Sequence, residues 1–394
     1  MFCVTWSRVA VAACVFSLPA CSDGQTDGDA DDEGMPDAGS AGDAGFAPLT
    51  EPLDLGEPID APSTEWTWVD FPDTRCMDDS PSGLGIWDNP DSDKVLIQIQ
   101  GGGACFNQST CAIVANPTGF NEGSLADAVS SGIVSDADDT NPFAGWSKVF
   151  IPYCSGDNFT GAAVDGTGYE GRTQMGYLNI RSYLERLVPT FADKKEVVLT
   201  GYSAGGIAAT MNSVQMLEAF GPDVRLSVLN DSGAMFSEEY LSPCMQGRLS
   251  ELWHGEDNLP PDCTECDPAN GHILDPLLEW AAPRIAHVRQ GFISYDADFV
   301  IRAFMGFGVN DCASFDSAFA APMAEDQFRS GLADIRERFA GRTESFAMYE
   351  IAGTGHVLTI QSPGSVQSEG VTLSDWLADF IDPDADFESV VVGQ

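Results

Sequence analysis

Val197-Val-Leu-Thr-Gly201-Tyr-Ser203-Ala-Gly205-Gly206 sets four strand-forming residues shortly before a serine held between glycines. Val197 to Thr200 suit a buried strand. Gly201-Tyr202-Ser203-Ala204-Gly205 fits G-x-S-x-G, a strand-to-helix elbow that holds its central hydroxyl on a strained turn. The stretch from Ala204 to Phe220, with Ala, Met, Leu and Glu among its residues, reads as a helix. Its N-terminus points at Ser203, where backbone amides can stabilise developing negative charge. The plainer reading of these residues is a glycine-rich loop with an incidental serine. The strand before and the helix after favour a nucleophile.

Other strands are expected at 94–100, 148–153, 225–230 and 345–351, and a helix at 176–191. Strands alternating with helices predict an α/β fold with a mostly parallel central sheet flanked by helices. The region from about Phe236 to Gly291, rich in Pro, Cys and Trp, reads as a cap inserted over the active site.

The chain has 394 residues and a formal net charge of −43. Arg8 and the apolar run Val9–Ala20 read as a signal peptide over 1–20, too short to span a bilayer. Leu18-Pro-Ala-Cys21 is similar to a bacterial lipobox, which implies cleavage before Cys21 and lipidation of its thiol; an ordinary cleavage site beside an accidental Cys is the alternative. Residues 21–60 are rich in Asp, Gly, Ala and Pro, carry no Lys or Arg, and read as a disordered acidic tether. The folded domain is then 61–394. The chain to Asp60 holds 12 of the 61 acidic residues and Arg8, one of the 18 basic residues, so the domain carries −32. That excludes nucleic acid as a partner and disfavours polyanions. The membrane is met only through the lipid anchor, at the cell surface or in the periplasm, and the domain is expected to be a monomer.

Of the eleven cysteines, eight follow the tether: Cys76, Cys105, Cys111, Cys154, Cys244, Cys263, Cys266 and Cys312. An even number in an exported chain predicts disulfides. Cys263-Thr-Glu-Cys266, with Cys244 and His272 near, has zinc-like spacing. The oxidising compartment favours disulfides, and no metal is expected.

A serine nucleophile needs a base, an acid to orient it and donors for the oxyanion. On such an elbow the chain order is Ser, then Asp or Glu, then His. All four histidines follow Ser203. His287 reads as part of a helix, and His254 and His272 lie in the cap. His356, in Gly353-Thr-Gly-His356 after the last strand, is expected to be the base. Topology offers Asp231, Asp296 and Asp298 as acids, and Asp231 also reads as a turn-capping carboxylate. The glycine-rich turn Gln100–Ala104 after an early strand is where oxyanion donors are expected, with the Ala204 amide beside them. No Gly-Lys-Ser/Thr follows, so a phosphate cradle is excluded.

Several separated segments together resemble the pectin acetylesterase / Notum family of serine carboxylesterases. They are Cys76-Met-Asp-Asp-Ser80-Pro-Ser-Gly, Gly101-Gly-Gly-Ala-Cys105-Phe-Asn107 with Cys111, Phe150-Ile-Pro-Tyr-Cys154-Ser-Gly-Asp157, the elbow, Asp231-Ser-Gly233 and Tyr295-Asp296. The resemblance implies an α/β-hydrolase fold without cofactor, with Ser203 as nucleophile, Asp296 as acid and His356 as base. It implies oxyanion donors near Gly102, Gly103 and Ala204, and disulfides Cys76–Cys154 and Cys105–Cys111. It leaves the other four cysteines unassigned. The family usually carries a Trp before its first motif Cys; Gly103 and Ala104 stand there, which alters the pocket wall. The implied reaction is hydrolysis of an acetyl or other short-chain ester, on a small ester or an acylated glycan. The alternatives are deacylation of a longer chain, peptidase chemistry on the same triad, or a catalytically silent surface-anchored binding protein. Asp231 stays as the second candidate acid.

Overall fold

The computed structural model describes residues 52–393, and the expected signal peptide, Cys21 and the expected tether as far as Glu51 lie outside them. Strands run β1 (Thr67–Phe71), β2 (Ser82–Trp87), β3 (Lys94–Ile99), β4 (Ser147–Ile151), β5 (Glu196–Tyr202), β6 (Arg225–Asp231), β7 (Arg289–Tyr295) and β8 (Phe346–Ile351). They form one sheet in the order β1-β2-β4-β3-β5-β6-β7-β8. From β4 to β8 every neighbouring pair is parallel, while β1 and β2 join antiparallel at one edge.

Side-chain alternation explains why both faces are covered. Val95, Ile97, Ile99, Val197 and Leu199 feed one core cluster, whereas Leu96 and Val198 feed the cluster on the other face. A strand with both faces apolar satisfies its burial only between helices. The helices are α1 (Gln108–Cys111), α2 (Glu122–Ala128), α3 (Gly176–Thr190), α4 (Ala204–Met211), α5 (Ser213–Phe220), α6 (Pro243–Trp253), α7 (Leu274–Ala281), α8 (Phe299–Met305), α9 (Val309–Cys312), α10 (Glu325–Ala340) and α11 (Leu373–Ile381). Among them no helix is long and apolar enough to cross a membrane.

Three expectations change in detail. The single helix expected from Ala204 to Phe220 is two, because buried Asn212 turns its side-chain amide onto the Ala208 carbonyl (2.9 Å) and breaks the run. His287 lies in an exposed turn before β7, not in a helix. Residues 52–60, expected as the end of the tether, dock along α3: Gly56 N–H donates to Glu185 O (2.9 Å) and Ile59 N–H to Thr190 Oγ1 (2.7 Å).

Four disulfides fasten the loops. Cys76–Cys154 and Cys105–Cys111 are the two pairs the resemblance implied. Cys244–Cys312 ties α6 to α9, and Cys263–Cys266 closes a tight loop in the cap. The cysteines with zinc-like spacing are thus disulfide-bonded, which removes the thiolates a metal would need.

Candidate active site

In a parallel sheet the loops after β3, β5, β7 and β8 open on one edge, and the candidate residues sit on them. Ser203 follows β5 with φ +56° and ψ −123°, a conformation costing an L-residue about 1–3 kcal/mol. The surroundings enforce it. The Ser203 amide donates to Asp231 O (2.8 Å). A Cβ on Gly201 would lie 2.1 Å from Gly205 O, and one on Gly205 2.2 Å from Ile99 O. Side chains at either position would push the elbow off the sheet. Burial lifts the Tyr202 phenol to about 12.

The glycine-rich turn after β3 is held from outside. Gly102 O accepts from Ala115 N–H (2.8 Å). Gln100 Oε1 accepts from Tyr153 N–H (3.0 Å) and Asn116 Nδ2 (2.9 Å). The next carbonyl that matters, Cys105 O, accepts from Gln174 Nε2 (3.0 Å) and from the cap's Trp253 indole (2.9 Å). Among the described residues, the amides of Gly102, Gly103 and Ala204 donate to no protein acceptor.

His356 follows β8, on a loop whose next residue, Val357, has φ +58°. Its Nδ1 lies 2.7 Å from Asp298 Oδ2. A carboxylate there requires the proton on Nδ1 and leaves Nε2 as the free basic nitrogen. Asp298 is fully buried and doubly held, since its Oδ1 caps α8 by accepting from Val300 N–H (2.9 Å) and Ile301 N–H (3.1 Å).

The geometry therefore departs from the acid that the resemblance implied. Asp296 Oδ1 accepts from Gly353 N–H (2.7 Å) and its Oδ2 meets Arg329 Nε (3.0 Å). Both oxygens are occupied away from the imidazole. Asp231, the second candidate, is committed too. Its Oδ2 accepts from Leu358 N–H (2.8 Å), Thr359 N–H (2.7 Å) and Thr359 Oγ1 (2.7 Å), and its Oδ1 from Ser232 Oγ (2.9 Å). Burial raises this carboxyl, and the Thr359 and Leu358 amides oppose the rise. Asp231 anchors the loop that carries His356. Topology named Asp298 among three carboxylates; the added signal was its place just before Phe299-Val-Ile-Arg-Ala-Phe-Met, where a helix needs an N-cap.

A cavity of about 210 Å³ opens beside Ser203, walled by Gly103, Ala204, Ile207 and Phe304 and by side chains of the cap such as Leu241. It far exceeds the ~10–15 Å³ needed to hold one water. Ala104 lines it, and its small side chain stands where the resemblance led one to expect Trp.

A family model described as pectinacetylesterase matches residues 64–269. A Xenopus laevis palmitoleoyl-protein carboxylesterase is 32% identical over 168 residues, covering 40% of this chain and 34% of its own. An Arabidopsis thaliana pectin acetylesterase is 28% identical over 166 residues, covering 40% and 38%. The chain thus spans little more than a third of the length of these relatives. The solved structure of the Drosophila Wnt deacylase Notum superposes with a TM-score of 0.59 at 18% identity, over 81% of this chain and 93% of that one, which is a likeness of fold.

Proposed function

The chain belongs to the pectinacetylesterase family, and we propose that it is a serine carboxylesterase with Ser203 as nucleophile, His356 as base and Asp298 as the acid that orients it. His356 Nε2 takes the Ser203 proton as the hydroxyl attacks the ester carbonyl. The amides of Gly102, Gly103 and Ala204 hold the tetrahedral oxyanion at the start of α4. The imidazolium gives its proton to the departing alcohol, leaving an acyl-enzyme. Water then attacks with His356 as base again, and Asp298 stabilises the imidazolium at both steps. The scheme uses no metal or organic cofactor. The observation that carries it is the 2.7 Å contact from the buried Asp298 to His356, on the sheet edge that presents Ser203.

The apolar cavity supports an acyl group longer than acetyl. A chain filling it gains about 0.8 kcal/mol per methylene buried. The second reading, removal of acetyl groups from a glycan, is favoured by the family's description and by the Arabidopsis relative. Hydrolysis of p-nitrophenyl esters of graded length separates the two. Rates rising beyond acetate support the acyl pocket, and a steep fall supports the deacetylase. Ser203→Ala is expected to lower kcat by about 10⁴-fold or more. If it leaves most of the turnover in place, the scheme is wrong. Absence of any Ser203-dependent hydrolysis would leave a binding protein of this fold. The four disulfides suit an exported domain in an oxidising compartment.

A further inference from the structure

Helix α7 separates two spaces of opposite character. Leu274, Leu277, Leu278 and Ala281, one stripe at helical spacing, line the apolar cavity that reaches Ser203. Asp275 and Glu279 line an open groove beside it, with Glu238, Asp262 and His272. Trp280 lines both spaces. The cavity follows α4 and α5 from Ala204 past Ile207 and Met211 to Val214. Trp280 packs on a core cluster that includes Val214 and has the open polar groove on its other side, so the apolar cavity ends at its ring on that side.

The indole is fixed in two directions. Its N–H donates to Asp262 Oδ1 (2.7 Å). The Arg284 guanidinium lies over the ring, 3.7 Å from its centroid, and donates to Trp280 O (2.8 Å) and to Asp262 Oδ2 (2.7 Å). Asp262 is itself adjacent to the Cys263–Cys266 disulfide.

We propose that Trp280 is the stop of the acyl pocket and sets the longest acyl chain this enzyme accepts. The proposal rests on the reading of the cavity as the acyl site. A loosely held side chain at this point would swing aside for a longer tail. This one is clamped by a charge-assisted pair and by stacking. Each methylene added to the substrate then gains roughly fourfold in binding until the tail meets the ring, after which the next overpacks the wall. Removing the ring joins the cavity to the groove. A tail passing into that polar, open space is tolerated without further gain.

The test uses p-nitrophenyl esters from acetate to palmitate on the wild type, Trp280→Ala and Trp280→Leu. Binding of free saturated carboxylates over the same lengths is measured by calorimetry. The wild type is expected to show kcat/KM rising with length and then falling at least about tenfold over two added carbons. In Trp280→Ala the fall disappears, and the ratio of kcat/KM for the longest esters to that for butyrate rises at least about tenfold over wild type. A break at the same length in a folded Trp280→Ala overturns the proposal, as does a wild type with no break up to palmitate. Should Trp280→Ala not fold, Trp280→Leu reads the same shift. Should the wild type hydrolyse no ester, the esterase reading fails by itself. The carboxylate titrations then decide the stop: a length limit that Trp280→Ala removes upholds it, and an unchanged profile overturns it.

Discussion

Asp296 and Asp298 both leave the end of β7, one residue apart, and only Asp298 meets an imidazole. Chain order narrowed the acid to three carboxylates but carried no information on where each side chain points. That depends on the turn after β7, on Arg329 from α10 and on Gly353 from the β8 loop, all distant in sequence. Ser203 and His356 stand out in the sequence because each has a local signature, the first an elbow and the second a glycine-flanked loop after the last strand. Two substitutions test the assignment of the acid. Asp298→Asn keeps an Oδ1 to cap α8 but presents an amide N–H or a weaker acceptor to Nδ1, so the imidazole loses its fixed tautomer. It is expected to lower kcat by about 10³–10⁴-fold with a stability change of under about 1 kcal/mol. Asp296→Asn is expected to stay within about tenfold of wild type, since Asp296 acts on a loop amide and a half-exposed arginine. Kinetics of the two variants beside urea unfolding provide the check, and the reverse ranking would restore Asp296 as the acid.

At the scale of elements, the central strands β3 to β6 and β8 could be read from their β-branched and apolar runs. β2 and β7 could not, for reasons of composition. β2, Ser-Gly-Leu-Gly-Ile-Trp, carries two glycines in six residues. β7 has Gly291 at its centre because a Cβ there would come within 2.9 Å of Leu229 and 3.0 Å of the Trp376 ring of α11. A glycine chosen for close helix packing erases the strand signal that its neighbours carry. The same long-range logic makes β6 more than a strand. Through Asp231 its end fastens the β8 loop by three hydrogen bonds, from Leu358 N–H, Thr359 N–H and Thr359 Oγ1, with a fourth from the neighbouring Ser232 Oγ. Asp231→Ala leaves these buried donors without their acceptor. It is expected to cost at least about 3 kcal/mol in urea unfolding, and to lower activity through displacement of His356. Loss of activity with full stability would mean that Asp231 takes a chemical part instead.

For the whole molecule the dominant property is charge: −43 overall, and −32 over residues 61–394. Composition made this visible before any fold was known, and it bears on which ester reaches Ser203. At about 10 mM salt the Debye length is about 30 Å, comparable to the domain itself, so the summed field acts on any approaching polymer; at about 150 mM it is about 8 Å and only charges near the cleft matter. An acetylated polyuronate is then repelled at low salt, whereas a neutral acylated glycan or a nitrophenyl ester is indifferent. Between about 10 and 200 mM NaCl, kcat/KM for the polyuronate is expected to rise about tenfold or more through KM, with kcat fixed. The neutral esters are expected to change by less than about twofold over the same range. The acidic groove of Glu238, Asp262, Asp275 and Glu279 beside α7 acts in the same direction, because it adds negative potential on the cap side of the pocket. A polyuronate rate that falls as salt is added would require a basic surface at the cleft strong enough to override the total, and would move the natural substrate to the polyanionic class.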